Sequence, residues 1–298
     1  VQVVESNEPG GGTTVRIRGS TSTGASNEPL WVIDGVPLGG GASTGSGITA
    51  GRDALNFINA DDIASITVLR DASAAAIYGT NAANGVVLVT TKRGGKGGPQ
   101  FEYTGSVSTS VITKRPDMLN ANQFRAAVLQ FDTDNGTTYA SQLLSANTDW
   151  FDQVSRTGYG QEHTMAFSGA GERMDYRFSL NFLDQKGIIE GSKAQRISLG
   201  ANYNQRLMQD RLNLRVNLRG FRGRDEFTPG GVLSNAAQMG PTQPVKDPTA
   251  PTGFYDWPGN LLTSADNPVA ILALASDKAT TYRGVGGVQA EYRLPWLE

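Results

Sequence analysis

The sequence predicts a small α/β domain followed by a wall of long antiparallel β-strands. Between Pro29 and Gly94 the chain reads strand, turn, helix, turn, strand, with turn residues at each break. From residue 99 onward apolar side chains recur with period two, in segments of roughly 10 to 14 residues. No run of about 18 apolar residues occurs, so no membrane-crossing helix is predicted.

Val1 to Glu5 is a short β-prone run, followed by the loop SNEPGGG. Val15 to Ser20 alternates, with Arg16 and Arg18 on one face of a strand and Gly19 closing it. Leu30, Val32 and Ile33 form a strand that stops at Asp34-Gly35, a dipeptide suited to a turn with positive φ. Ile66, Val68 and Leu69 form the next strand. Asp71 then caps a short helix, its carboxylate accepting from free N–H groups while Ala72 to Ile77 supply helix formers. Tyr78 is followed by Gly79, which suits the left-handed position beyond the helix. Asn84-Gly85 is a turn, and Val86 to Thr90 is a β-branched strand ending in Lys92, Arg93 and Gly94.

In the second part, Met174, Tyr176, Phe178, Leu180 and Phe182 alternate with Asp175, Arg177, Ser179 and Asn181. Ile197, Leu199, Ala201 and Tyr203 alternate with Arg196, Ser198, Gly200 and Asn202, and Leu212, Leu214, Val216 and Leu218 with Asn213, Arg215, Asn217 and Arg219. Segments around Phe101, Met165 and Tyr282 repeat the pattern, giving six strands. Each has one oily and one polar face. A soluble β-sandwich and a membrane barrel both produce this alternation. The length, near that of a tilted membrane strand, favours the barrel over the common soluble strand of about 5–6 residues. Asn120 caps a helix with Phe124, Ala127, Val128 and Phe131 inward, and Thr137 to Ala146 suggests a second short helix, while Asn235 to Met239, Pro241 to Pro258 and Asn267 to Ser276 form another long excursion. Long Pro- and Gly-rich insertions fit one rim of a barrel, and short connections such as Gln209-Asp210 the other.

A net charge of −2 and the lack of any Lys/Arg run exclude a nucleic-acid binder. Cysteine is absent, which removes thiolate metal sites and disulfides, and one histidine, His163, cannot complete a metal site alone. Lys96 lies in a glycine-rich stretch but lacks a following Ser or Thr and opens no helix, so it reads as a linker and not a phosphate loop. Asp61-Asp62 reads as a pair of helix-start acids. Ser20, Ser73 and Ser106 have no base in view, so no catalytic residue is assigned. No cofactor and no metal is expected.

Nearly all of residues 12–94, above all Asp34-Gly35-Val36-Pro37 and LRDASAAAIYGTNAANGVVLVTTKRG, resemble the plug domain of TonB-dependent outer-membrane transporters of the SusC/RagA type. Trp31 stands where another aromatic is usual, and Arg70 where Lys is common. The resemblance implies residues 1–98 as plug and linker and 99–298 as the first strands of an incomplete transmembrane β-barrel, since a plugged barrel needs on the order of 22 strands. It disfavours a metal-chelate receptor, which has Gly-Pro where this chain has Asp71-Ala72, and a soluble β-rich carbohydrate-binding protein or enzyme.

The implied function is import of a bulky nutrient, an oligosaccharide or a peptide, across a bacterial outer membrane, without enzymatic activity. Implied partners are a TonB complex at the inner membrane, a SusD/RagB-like surface lipoprotein, the substrate and outer-membrane lipid. The plug motif Arg16, Arg18, Gly19, Asp34, Gly35, Asp71, Tyr78, Gly79, Asn84 and Gly85 is expected to shape and gate the plug. Arg16 and Arg18 are expected to pair with wall carboxylates such as Glu102 and Asp175. Trp31, Leu38, Asn56 and Phe57 are expected in or beside loops that face the ligand. The chain is expected to be a fragment, with neither a signal peptide at its start nor a closing element at its end.

Overall fold

The computed structural model describes residues 2–5, 8–10, 13–17, 29–38, 58–69, 77–95, 97–257, 265–294 and 296. Strands β1 (Gln2–Glu5) and β2 (Thr13–Arg16) form an antiparallel hairpin. A four-stranded sheet follows, in the order β4-β3-β6-β5, from β3 (Leu30–Ile33), β4 (Val36–Pro37), β5 (Ile63–Leu69) and β6 (Val86–Thr91). β3 and β6 run parallel, whereas β4 and β5 pair antiparallel to their neighbours. Both faces of β3 and β6 are covered, and that is why their apolar residues run on without alternation. One face packs Trp31, Ile33, Ile58, Val87 and Val89 into a core, and the other packs Val32, Ala82 and Val86.

The turn between β3 and β4 has Asp34 at φ 47° and Gly35 at φ 86°, the left-handed pair expected of a tight hairpin. Gly79 and Gly85 also lie at positive φ. The helix expected after Asp71 falls outside the described residues apart from its end at Ile77 and Tyr78.

Six long strands form the second sheet as a sequential antiparallel meander: β7 (Gly97–Ser110), β8 (Gly158–Ala170), β9 (Met174–Lys186), β10 (Lys193–Leu207), β11 (Leu212–Phe227) and β12 (Asp277–Tyr292). Phe178, Leu180, Leu199 and Leu218 are exposed on one face, while Arg177, Ser179, Asn181, Ser198 and Asn202 are buried on the other against the first sheet. The wall is unclosed, and its oily face points away from the small domain.

The alternation changes character near the top of β11. Register places Phe221 and Val285 on the inner face, where both pack on the Trp31 core, and sends Arg222 and Arg224 outward.

Short turns at 171–173 and 208–211 join strands at one rim. Residues 111–157, 187–192, 228–257 and 265–276 lie at the other. The two long insertions are not independent loops. Trp150 and Val154 pack with Val232, Ala236, Met239 and Tyr255 in a second core. The indole Nε1 of Trp150 donates to the Gly240 carbonyl at 3.0 Å, and Asn267 donates to the carbonyls of Val245 and Tyr255.

Asn120 caps the helix Ala121–Asn135 through a reciprocal capping box with Gln123. Its expected inner face is corrected in part: Ala121 is buried, but Ala127 and Phe131 are exposed, and Phe131 lies against Tyr139. The segment after it forms only a single 3-10 turn, Tyr139–Gln142.

Candidate functional site

Polar side chains dominate the seam between the two sheets, and two acidic residues of the first sheet organise it. Asp34 sits in the β3–β4 turn, where a left-handed backbone turns its carboxylate toward the end of β6. Its Oδ1 accepts from the Thr91 N–H at 2.9 Å and its Oδ2 from the Thr91 hydroxyl at 2.6 Å. Arg219 of β11 reaches the same carboxylate at 3.3 Å, and also donates to the Thr91 hydroxyl oxygen and, at 3.1 Å, to Asn202 Oδ1. Asn202 of β10 returns hydrogen bonds to Thr91 Oγ1 at 3.0 Å and the Lys92 carbonyl at 2.7 Å. The Asp34 and Arg219 side chains are only 5% and 7% exposed, so this pair is desolvated.

Asp62 makes the second anchor. Asn59 accepts from the Asp61 N–H and so starts the single 3-10 turn Ala60–Asp62, which aims Asp62 at β9. Arg177 donates to Asp62 Oδ1 through Nη2 at 3.1 Å and Nε at 3.3 Å, and Ser179 donates to Oδ2. Arg177 also lies 3.5 Å from Glu102 of β7. Nearby, Asn59 donates to Thr164 Oγ1 at 2.8 Å, as does Asn181 from β9 at 3.0 Å.

Gly200 leaves the room this approach needs. A Cβ there would lie 3.3 Å from Arg219 Nη1 and 3.4 Å from Asp62 Oδ2. The seam is a set of charge-assisted hydrogen bonds joined by a small apolar contact through Phe221 and Val285. Among the described residues no group of His, Asp and Glu has the geometry to hold a metal ion.

Sequence reasoning expected cations on the small domain and carboxylates on the wall. The pairing described here has the opposite polarity: Asp34 and Asp62 are the acids, and Arg219 and Arg177 the bases. Glu102 does lie in the network but faces Arg177, and Asp175 accepts from Asn204. Arg16 lies in β2, while Arg18, Gly19, Asn56, Phe57 and Asp71 fall outside the described residues. Asp61-Asp62 is expected only as a pair of helix-start acids; both lie in the single 3-10 turn that Asn59 caps, but Asp62 is 8% exposed and anchored to the wall.

Tyr78 packs against the Val32 cluster beside Gly79, and Asn84-Gly85 forms the turn into β6. The expectation for Trp31 is corrected: it is 7% exposed in the core of the first domain, because an inward position on β3 buries it between β6 and the wall. Leu38 packs partly against the same core. His163 faces outward, its Nδ1 2.8 Å from the Tyr103 hydroxyl.

A TonB-dependent receptor plug-domain model matches residues 1–86. The chain is 37% identical to the TonB-dependent receptor SusC of Bacteroides thetaiotaomicron, over 97% of this chain and 30% of that protein. It is 33% identical to a TonB-dependent receptor of Formosa agariphila, over 98% of this chain and 29% of that protein. Its fold is similar to the RagAB peptide importer in the open-open state, with TM-score 0.71 and 22% identity, covering 97% of this chain and 35% of that one. The chain thus spans about a third of the length of the curated relatives it matches.

Proposed function

The chain belongs to the TonB-dependent receptors of the SusC/RagA type, and from that premise we propose that it supplies the gate of a nutrient importer in a bacterial outer membrane. In this reading residues 1–98 are the plug with its linker, and 99–298 are the first strands of the barrel that surrounds it. The rim with the long insertions faces outside and the short turns face the periplasm. The cargo is a bulky oligosaccharide or peptide, and the protein performs no chemistry on it. Force comes from a TonB complex, and a SusD/RagB-like lipoprotein closes the outer side.

The observation that carries this reading is the make-up of the seam. A plug that must stay seated and yet be displaced needs contacts that water can replace. The hydrogen bonds of Asp34, Asn59, Asp62 and Thr91 to Arg219, Thr164, Arg177 and Asn202 are of that kind. An apolar core of equal area would have no such substitute on opening. Asp34, Gly35, Tyr78, Gly79, Asn84 and Gly85 act as shape-setting residues of the plug, and Leu38, which directly follows β4, is its ligand-side residue among the described positions.

A disulfide between plug and wall tests it. A Cβ built on Gly287 of β12 lies 3.5 Å from Val36 Cγ2 of β4, close enough for a Val36→Cys/Gly287→Cys pair to bridge. The stretch has no cysteine of its own. The oxidised full-length protein is expected to bind cargo but not import it, with uptake restored by reductant. Undiminished import through fully cross-linked protein refutes a plug that must move at that edge.

A further inference from the structure

We propose that the outward face of the wall, at its upper rim, binds the phosphate groups of lipid in the outer leaflet. The inference rests on the reading of the wall as membrane-spanning, with the long insertions outside. The outward positions of β11 run Leu212, Leu214, Val216, Leu218 and Gly220, then change to Arg222, Arg224 and Glu226. Ten residues separate Leu212 from Arg222. At about 3.4 Å per residue and a tilt near 40°, they climb roughly 26 Å, the height of the apolar band of such barrels. The charges therefore begin where the hydrocarbon ends.

Register carries that change across the neighbouring strands. Arg222 stands opposite Tyr282, Glu226 opposite both Lys278 and Lys193, and Lys193 opposite Lys186. Two of these cations are neutralised, Lys193 by Asp184 at 3.7 Å and Lys278 by Glu226 at 3.6 Å. The side chains of Lys186, Arg222 and Arg224 make no hydrogen bond or ion pair among the described residues. The Nε of Arg222 is buried and without a partner, and its guanidinium lies 5.6 Å from the Tyr282 ring centroid.

Lys186 stands directly across from Lys193, whose charge Asp184 already balances, so the Lys186 charge is left without a counter-ion of its own. At the opposite rim the outward positions Met174, Leu207, Leu212 and Tyr292 carry no charge. A one-sided band of unsatisfied Arg and Lys, beside an interfacial tyrosine, is complementary to phosphate oxygens at that height. Guanidinium groups bind them in pairs of charge-assisted hydrogen bonds.

The test uses the full-length protein and vesicles containing lipid A, with and without its phosphates. Each cation near an anionic surface is worth about a fivefold change in affinity, so Lys186→Gln/Arg222→Gln/Arg224→Gln is expected to lose about a hundredfold toward the phosphorylated vesicles. Binding to the dephosphorylated vesicles should be weak and the same for both proteins. Equal affinity of variant and parent for phosphorylated lipid, or equal affinity of the parent for both vesicles, overturns the proposal. Labelling of an Asp134→Cys variant from outside intact cells separately checks the orientation. Outside labelling together with unchanged lipid binding sinks this inference alone, whereas absence of outside labelling sinks the orientation it rests on.

Discussion

Replacing Arg219 with Met should loosen the plug without disturbing the wall. The substitution keeps a long apolar stem and removes the guanidinium that faces Asp34, Thr91 and Asn202. Asp34 would remain buried with the two hydrogen bonds from Thr91 but without its counter-charge. Breaking a buried pair from one side costs about 3–5 kcal/mol, and the surviving bonds place this case near 3. Since 1.4 kcal/mol is a factor of ten, amides that exchange only when the plug opens should exchange about a hundredfold faster. The Asp34 N–H, bonded to the Val89 carbonyl, and the other β3 and β6 amides report it. Hydrogen exchange would be followed on the full-length protein, with β9 and β10 amides as the control. A second arm removes both charges, Asp34→Asn/Arg219→Met. If the pair is coupled, the double variant exchanges more slowly than the sum of the single effects requires. A single variant within about threefold of the parent, or strictly additive variants, would show that Arg219 does not latch the plug.

Leu218 is outward and 51% exposed near the middle of the oily band, so Leu218→Arg should cost about 2–4 kcal/mol of barrel stability, read as lost heat-modifiable gel migration, while Asn217→Ser on the inner face should assemble normally. Gly94→Ala should displace the linker, because its Cβ would lie 2.6 Å from the Tyr176 carbonyl oxygen and 2.8 Å from its nitrogen, both backbone atoms; such overpacking costs about 1–3 kcal/mol and should show as faster proteolysis after Lys92. Glu8 concerns pH. Burial, ahead of the nearby Asp277 charge, holds its carboxyl above the ordinary 4.5. The folded state therefore favours the protonated form, and the penalty appears as pH rises from 4.5 through the raised value. Glu8→Gln should protect the Glu8 to Gly10 tip from exchange at neutral pH, with no difference from the parent below 4.5.

Local chemistry was legible in the sequence wherever the chain answers to its own neighbours. Asp34-Gly35 requires a left-handed turn whatever surrounds it, and Asn120 with Gln123 closes a capping box within one helical turn. The period of two in β9 and β10 announced an oily and a polar face, because successive side chains on a strand must point opposite ways. What faces what is another matter. The sequence offered Arg16 and Arg18 as cations for the wall, yet the described anchors are Asp34 and Asp62, and Asp62 looked like an ordinary helix-start acid. Nothing near Asp62 in the chain points to Arg177, because the partner is brought there only when two sheets dock over a separation of 115 residues. Trp31 likewise looked like a residue beside a loop, and it is a core residue because β6 and the wall close over it. The change of face at Phe221 and Arg222 follows from the same cause. Periodicity assigns residues to one side or the other of a strand, and only the assembled molecule decides whether that side meets plug, lipid or water.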